Sequence, residues 1–493
     1  MLKWLSKLHK KILLVCFLLS LLTACTLSMD KKEIQKNIHS TPAMDSSVQK
    51  YLHSSAALQS GAWSQEQWWE VFDLPQLNQL IVTGLNVNPN LKTFRSRFYS
   101  AIEESQISRA ALSPWVAFNA KTNEQYRSRN GLYRALNPNI PLDGHEVDFN
   151  FSFQYEFDFW AQNYNRFQET IGYAKAREAE LAYTGLLTAV SISEGFLKYQ
   201  ATISKLNAYW RLQTILQEEE KLKTLLLKKN IDSEFPVLNT QLQTESVQQI
   251  IASLQAERSQ YQHFINQMLA REPEYPIKTT SYFKPLSKRQ NVPKQIQLDL
   301  VSRRPELMAR IWEVQAHAYR VGAAMADYYP NVNLIGLVGL ESVAWQKLLR
   351  ASSTTALLRP AIHLPIFTAG AIKANIQKTR AQFNEAVSEY NSALFAAVSE
   401  VMDSLALMRS AHKNYQLAQE KLAAARKQLS LSQQREKAGI DNQLQIYFFE
   451  KIVIENKIQD IDKNLAQYIA AVRLIQSLGG GYCNKDIPIQ KDK

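Results

Sequence analysis

Residues 147–159, VDFNFSFQYEFDF, decide the fold of this chain. All odd-numbered positions in the stretch are aromatic or apolar, and all even-numbered positions, from Asp148 to Asp158, are polar. A period of two sustained over this length predicts a β-strand with two chemically different faces. A soluble sandwich could use the aromatic face as its core. However, a wholly apolar face opposite a wholly polar one favours a barrel strand between lipid and water.

Three further stretches are predicted to be strands, at about 116–126, 332–340 and 358–366. Pro360 and Pro365 fit the end or a bend of a strand better than a central ladder. Four strands cannot close a transmembrane barrel, which needs about eight or more, and an open edge in lipid leaves backbone groups unpaired. Strands from several chains must therefore combine, and a homotrimer would supply twelve.

The chain repeats itself. NPNLK at Asn88 and RPELM at Arg304 each contain a proline that is followed by another 25 residues later, and the two blocks are offset by 216. NIDSEFPVL from Asn230 matches GIDNQLQIY from Gly439 at an offset of 209. We predict a tandem duplication, each half holding a helix, two strands, a very long helix, a tight turn and a second long helix. Asn230 and Gly439 are of the residue types that best tolerate the left-handed end of a helix.

The helices carry a coiled-coil pattern. From Leu444 to Ile475 apolar residues recur at alternating spacings of three and four. Lys451 keeps this spacing but is the one charged residue in the series. Residues 376–397 show the same spacing, and we expect them to form the facing helix. A helix over about 371–435 would span on the order of 100 Å, long enough to line a tunnel across the periplasm.

The amino terminus predicts a lipoprotein. Four lysines precede an apolar run from Ile12 to Leu22, as in a signal peptide of residues 1–24. LTAC, ending at Cys25, looks like a bacterial lipobox, which implies cleavage before Cys25 and a covalent lipid on it. The alternative is an ordinary signal peptide with a chance cysteine. Cys483 would have no disulfide partner if Cys25 is lipidated.

Several function classes lack support. The net charge of +12 falls to +8 without residues 1–24, but the cations are scattered and no nucleic-acid motif accompanies them. GGGYCNK from Gly479 lacks the spacing and the hydroxyl of a phosphate loop. His317 and His363 have no second ligand at metal spacing. We therefore predict no catalytic residue, no metal site, no nucleic-acid partner and no cofactor other than the lipid at Cys25.

Several motifs together resemble the TolC-like outer-membrane efflux family, in particular its lipoprotein branch. They are WWEVFDLPQLNQLI from Trp68, RRPELMAR from Arg303, ADYYPNVNLIGLVGL from Ala326, LPIFTAG from Leu364 and KAGIDNQL from Lys437. The resemblance implies an α+β membrane protein, in which long antiparallel helical hairpins form a periplasmic barrel and four strands per chain join a shared 12-stranded transmembrane barrel. It also implies a trimeric exit duct of efflux or type I secretion, located in the outer membrane among its lipids. Its partners would be a periplasmic adaptor and an inner-membrane pump.

The expected parts of the chain follow from this resemblance. They are the signal peptide 1–24, an anchored equatorial segment 25–88, a first repeat 89–271, an inter-repeat linker 272–304, a second repeat 305–478 and a tail 479–493. The alternative function is a lipid-anchored periplasmic scaffold or adaptor that is not a channel.

The family closes its duct at the periplasmic tip, so the resemblance implies gate residues near the second turn. Leu444 matches an apolar gate position, Phe448 replaces the usual aspartate, and Lys451 lies where a gate arginine can occur. Tyr447 and Asp441 complete the candidate gate, with coiled-coil packing as the alternative role for Tyr447 and Phe448. Asn230, Asp232 and Gly439, at the hairpin turns, are candidates for adaptor contact.

Overall fold

The computed structural model describes residue 29 and residues 31–280, 282–286 and 288–484. The predicted signal peptide and Cys25 lie outside these residues. The α-helices are α1 (Lys31–Lys36), α2 (Asp45–Ser54), α3 (Pro75–Val87), α4 (Pro89–Ala110), α5 (Leu132–Leu136), α6 (Gln162–Lys228), α7 (Phe235–Met268), α8 (Ile296–Arg303), α9 (Pro305–Ala326), α10 (Trp345–Leu348), α11 (Ala371–Lys437) and α12 (Gln443–Ser477). The strands are β1 (Leu58–Ser60), β2 (Trp115–Tyr126), β3 (Asp143–Phe157), β4 (Gln290–Val292), β5 (Asn331–Ser342) and β6 (Thr354–His363).

The duplication is visible in the order and length of these elements. Each half runs from a 22-residue helix (α4 or α9) through two strands to a 67-residue helix (α6 or α11) and a return helix, α7 or α12, of 34 or 35 residues. The helix α11 holds neither glycine nor proline, so nothing in its sequence interrupts about 100 Å of helix. Among the residues described, no helix is both long enough and apolar enough to cross a membrane.

The two halves share one antiparallel sheet of order β2-β3-β5-β6. The strands of the two repeats meet where β3 pairs with β5, with Phe151 opposite Val338. All four strands lie where the sequence predicts them, but β3 and β6 both start four residues before the predicted positions 147 and 358 and end before the predicted positions 159 and 366. The strand β3 stops at Phe157, not Phe159, because Asp158 accepts hydrogen bonds from the backbone N–H groups of Asn163 and Tyr164 (3.0 and 2.7 Å) and so caps α6. The strand β6 ends at His363, short of the predicted residue 366.

The expected partner of the second coiled-coil seam is wrong. Residues 376–397 of α11 bury Phe383, Val387 and Tyr390 in a cluster with Leu307 and Ile311 of α9, rather than against α12. The reason is length, since α12 has 35 residues and, running back from the turn, lies beside only the later part of the 67-residue α11. Part of the α12 ladder packs elsewhere as well. Two of its isoleucines, at 454 and 458, lie in a cluster with α6 and α7, which joins the two repeats.

The amino-terminal segment and the inter-repeat linker contact each other beside the long helices. Parallel strands β1 and β4 pair Leu58 with Gln290. An Asp45 carboxylate oxygen accepts hydrogen bonds from the backbone N–H groups of Ile296 and Gln297, both at 3.1 Å, at the start of α8. The two segments expected to share an equatorial region are therefore adjacent.

Candidate functional site: the sheet and the hairpin tips

One face of the sheet is mainly apolar, and the other is mainly polar on β2 and β3 but carries Ile335 and Leu337 on β5. Strand register places Val116 and Phe118 of β2, the odd-numbered residues of β3, Val332 to Leu340 at alternate positions of β5, and Leu358, Pro360 and Ile362 of β6 on the same side. The ring of Phe118 lies 5.2 Å from that of Phe151, between centroids, and both side chains are more than half exposed. An apolar face of this extent, left open to solvent, marks a surface that some apolar medium covers.

The opposite face carries a hydrogen-bonded polar network. Asn119 donates to Asn150 (3.1 Å) and Ser152 (2.9 Å), and Asn150 donates to both carboxylate oxygens of Asp148. Near the other end of β3, Asn331 donates to Glu156 at 2.6 Å. Side chains that satisfy one another in this way suit a water-filled interior.

Both hairpin turns have the geometry that the sequence predicts. Asn230 and Gly439 have positive φ values, 56° and 72°. In the first turn, Ile231 N donates to Leu226 O (3.0 Å), and in the second, Ile440 N donates to Arg435 O (2.8 Å). These are Schellman caps, which satisfy the last carbonyl groups of a helix and reverse the chain.

The acidic residues at the turns differ in their contacts. The Asp441 carboxylate accepts hydrogen bonds from Ser432 Oγ and Arg435 Nε, both at 3.0 Å, so it holds the end of α11. The Asp232 carboxylate accepts a bond from the adjacent Ser233 N (2.7 Å).

The candidate gate residues lie on the first turns of α12. Phe448 is half exposed and meets Phe449 edge-on, with ring centroids 5.3 Å apart. Tyr447 is partly buried against the cluster that holds Leu212 and Leu216 of α6, which agrees with the packing role given as its alternative. Leu444 is also only partly shielded.

Lys451 forms an ion pair that the sequence pattern does not reveal. Its Nζ lies 2.6 Å from Glu219 Oε2 of α6, and Lys223 Nζ lies 2.7 Å from Glu219 Oε1. The carboxylate is only 7% exposed. Burial by itself would raise the pKa of Glu219, but hydrogen bonds from Lys223 and Lys451 outweigh it, so that the pKa is lowered. This pair ties the gate helix of the second repeat to the long helix of the first.

We expect Glu219→Gln to destabilise the hairpin region by roughly 1–3 kcal/mol at pH 7, less than for fully buried pairs because both lysines keep some solvent. A carboxyl whose folded pKa is depressed contributes its stability above the unfolded value, 4.5, and loses it as pH falls through the folded value. The thermal midpoints of the parent and Glu219→Gln should therefore differ most above about pH 4.5 and converge below it. A gap that is constant from pH 7 to pH 3 would contradict the assigned role of the charge.

Within the described part of the chain, histidine, cysteine and acidic side chains do not assemble into a metal site. Among residues 31–280, 282–286 and 288–484, no group of three or more His, Cys, Asp or Glu side chains could hold a metal ion. His317 Nε2 lies 3.4 Å from the Tyr173 hydroxyl between α6 and α9, and His363 ends β6.

Comparison with known proteins agrees with this architecture. The family model described as "Outer membrane efflux protein" matches residues 299–480, which include the whole second repeat, 305–478. The multidrug resistance outer membrane protein MdtP of Escherichia coli is 24% identical over 435 residues, covering 86% of this chain and 88% of its own length.

Solved structures share the fold over most of the chain. The CmeC outer membrane channel of Campylobacter jejuni superposes with a TM-score of 0.80 at 18% identity, over 87% of this chain and 90% of that one. The outer membrane protein VceC of Vibrio cholerae has a TM-score of 0.74 at 21% identity, over 85% of this chain and 100% of that one.

The chain therefore has the α+β fold of these outer-membrane channels. Residues 299–480 match the family of outer membrane efflux proteins, and the relatives and solved structures to which the chain is similar are named as outer membrane proteins or channels. The predicted fold class is thus confirmed, the comparisons agree with the predicted family, and a scaffold that is not a channel is not favoured. The matched family is one of efflux proteins rather than of enzymes.

Proposed function

We propose that three copies of this chain close a 12-stranded barrel in the membrane and, below it, one helical tunnel through which substrates leave the cell. The observation that supports this is the pairing of the sheet. Its terminal strands β2 and β6 pair on one side only among the described residues, while one face is mainly apolar and the other is mainly polar on β2 and β3. Unpaired strand edges in lipid would cost several kcal/mol per backbone group, and closure with neighbouring copies removes them.

Native mass measurement of the detergent-extracted protein should give a trimer, and the purified trimer should form pores in planar bilayers. A stable monomer in detergent would contradict the shared barrel. A trimer without conductance would contradict the duct while leaving the assembly intact.

The duct would depend on other proteins for energy and for its substrates. The chain carries no phosphate-binding motif, so we propose that a periplasmic adaptor contacts the turns at Asn230, Asp232 and Gly439 and links the duct to an inner-membrane pump. The relatives named for multidrug resistance support small toxic molecules, including antibiotics, as its substrates.

We propose that the resting gate lies at the second turn. Three copies of Leu444 and Phe448 near the axis would block ions by an apolar constriction, without the aspartate found elsewhere in the family. The Leu444→Ala/Phe448→Ala double variant should raise the basal conductance and sensitise cells to large antibiotics.

A matched control is Leu407→Ala/Leu417→Ala, which removes two similarly exposed leucines of α11. Its conductance should equal that of the parent. If the gate variant also conducts like the parent, Leu444 and Phe448 only pack the helices.

We also propose that Cys25 carries the covalent lipid. Acyl chains on the cysteine and on its new amino group together give stable anchoring, whereas one chain is marginal. Mass spectrometry of the mature amino-terminal peptide should find an acylated cysteine as the first residue. An unmodified terminus at another residue would exclude this.

A further inference from the structure

The connection between β5 and β6, residues 343–353, folds over the apolar side of the sheet. It leaves the end of the sheet remote from the long helices, because α6 and α11 follow the opposite ends of β3 and β6. In the duct proposed above, this is the outer rim of the barrel. The connection contains α10, whose Trp345 ring meets Phe149 at 6.2 Å between centroids and an angle of 77°.

Phe149 places this contact on the lipid side. Strand register puts it on the apolar face of the sheet, opposite Ala120 and Leu340. Leu348, one helical turn after Trp345, is 2% exposed, so that α10 rests firmly on the protein. Trp345 itself is 54% exposed, and the leucine at 349 is 85% exposed. Indole rings with this mixture of burial and exposure are typical of the boundary between hydrocarbon and headgroups.

The same connection is basic. Lys347, in α10, and Arg350, two residues after its end, are both exposed, and one turn links them because Arg350 N donates to Lys347 O at 3.1 Å. The sequence VAWQKLLRASS contains no acidic residue, and neither cation forms an ion pair with another described residue. The other outer connection, residues 127–142, adds three arginines and again no carboxylate.

We infer that residues 343–353 bind the outer lipid surface, with Trp345 and Leu349 in the headgroup boundary and with Lys347 and Arg350 on the phosphate groups of anionic lipids. An apolar pair with two adjacent, uncompensated cations matches such a surface in both polarity and charge. The inference rests on the proposed barrel for its orientation in the membrane. It adds a lipid-binding segment that conduction by itself does not require.

The test uses the full protein in vesicles of phosphatidylcholine, with or without a lipid bearing phosphate groups on a saccharide headgroup. Lys347→Gln/Arg350→Gln should lower the preference for the anionic lipid about tenfold or more. High salt should likewise lower the preference of the parent protein. The control variant Lys421→Gln/Lys427→Gln, with both charges exposed on α11, should keep the full preference.

A second measurement reports on the aromatic contact. Lipids brominated close to the headgroup should quench the parent's tryptophan fluorescence, and Trp345→Phe should remove part of the quenched signal. Trp210→Phe, at an exposed position of α6, should not.

Unchanged lipid preference in Lys347→Gln/Arg350→Gln would overturn the inference, as would displacement of the lipid by inorganic phosphate at equal concentration, which indicates a soluble anion site. Conductance of the same variants separates the two proposals. The proposal of a duct is contradicted if the parent does not conduct. The proposal of a lipid-binding segment is contradicted if the charge variant keeps its lipid preference or Trp345→Phe leaves the quenching unchanged.

Discussion

The Gly479→Ala variant should lose roughly 2–5 kcal/mol of stability and assemble poorly, since it faces two separate costs. Gly479 follows α12 in a Schellman cap with a φ of 89°, in which Gly480 N donates to Ile475 O (2.9 Å). The left-handed conformation costs a side chain about 1–2 kcal/mol. In addition, a Cβ at this position would lie 1.9 Å from the backbone oxygen of Arg303, so the chain must move.

The repeat itself provides an argument that steric contact dominates. At the offset of 209, the position equivalent to Gly479 is Ala270, which follows the end of α7 and has a φ of 51°. Alanine is thus accommodated there in the same type of cap.

Gly439→Ala is the matched control, because Gly439 has a φ of 72° but a Cβ at this position would have no neighbouring atom within 4 Å. It should lose only about 1–2 kcal/mol. The stability of both variants is measured by thermal unfolding in detergent, and their assembly by the yield of trimer. Equal losses at the two glycines would show that the close approach to Arg303 is unimportant.

Arg304→Met should lower the free energy of unfolding by about 3 kcal/mol. The Arg304 side chain is 6% exposed, forms ion pairs with Glu306 and Glu400, and donates from Nη1 to Ala397 O at 3.1 Å. It therefore joins the start of α9 to the middle of α11. Methionine fills a similar volume but removes the added hydrogen bond to the Ala397 carbonyl and leaves the two carboxylates without a cation.

The control for this variant is Arg310→Met on the same helix. Arg310 also contacts two carboxylates, Glu313 at 3.0 Å and Glu389 at 2.7 Å, but its side chain is 45% exposed. Exposed pairs contribute about 0–1 kcal/mol, so this loss should be small. Arg304→Lys should recover only part of the stability, because one ammonium group cannot reproduce the planar contacts to three acceptors. Equal thermal unfolding midpoints for Arg304→Met and Arg310→Met would show that burial does not increase the contribution of the Arg304 ion pairs to stability.

Local pattern determined much of this protein. The alternation from Val147 onward identifies β3 and its two faces, because a strand turns each successive side chain to the opposite side. The repeat of NPNLK and RPELM locates α4 and α9, and Asn230 and Gly439 identify the turns, since few residue types adopt a positive φ. Each of these patterns involves residues close together in sequence, so the elements can be predicted from the sequence alone.

The tertiary structure alone determines which residues far apart in sequence pack together or form ion pairs. Periodicity shows that residues 376–397 have a buried face but not that α9 covers it, because any helix with an apolar stripe satisfies the pattern. The sequence likewise marks Lys451 as an interruption of a seam, and only packing of α6 beside α12 brings Glu219, 232 residues away, to its ammonium group. A charge in an apolar seam is stable only if a distant residue neutralises it, and sequence periodicity carries no information on which residue that is.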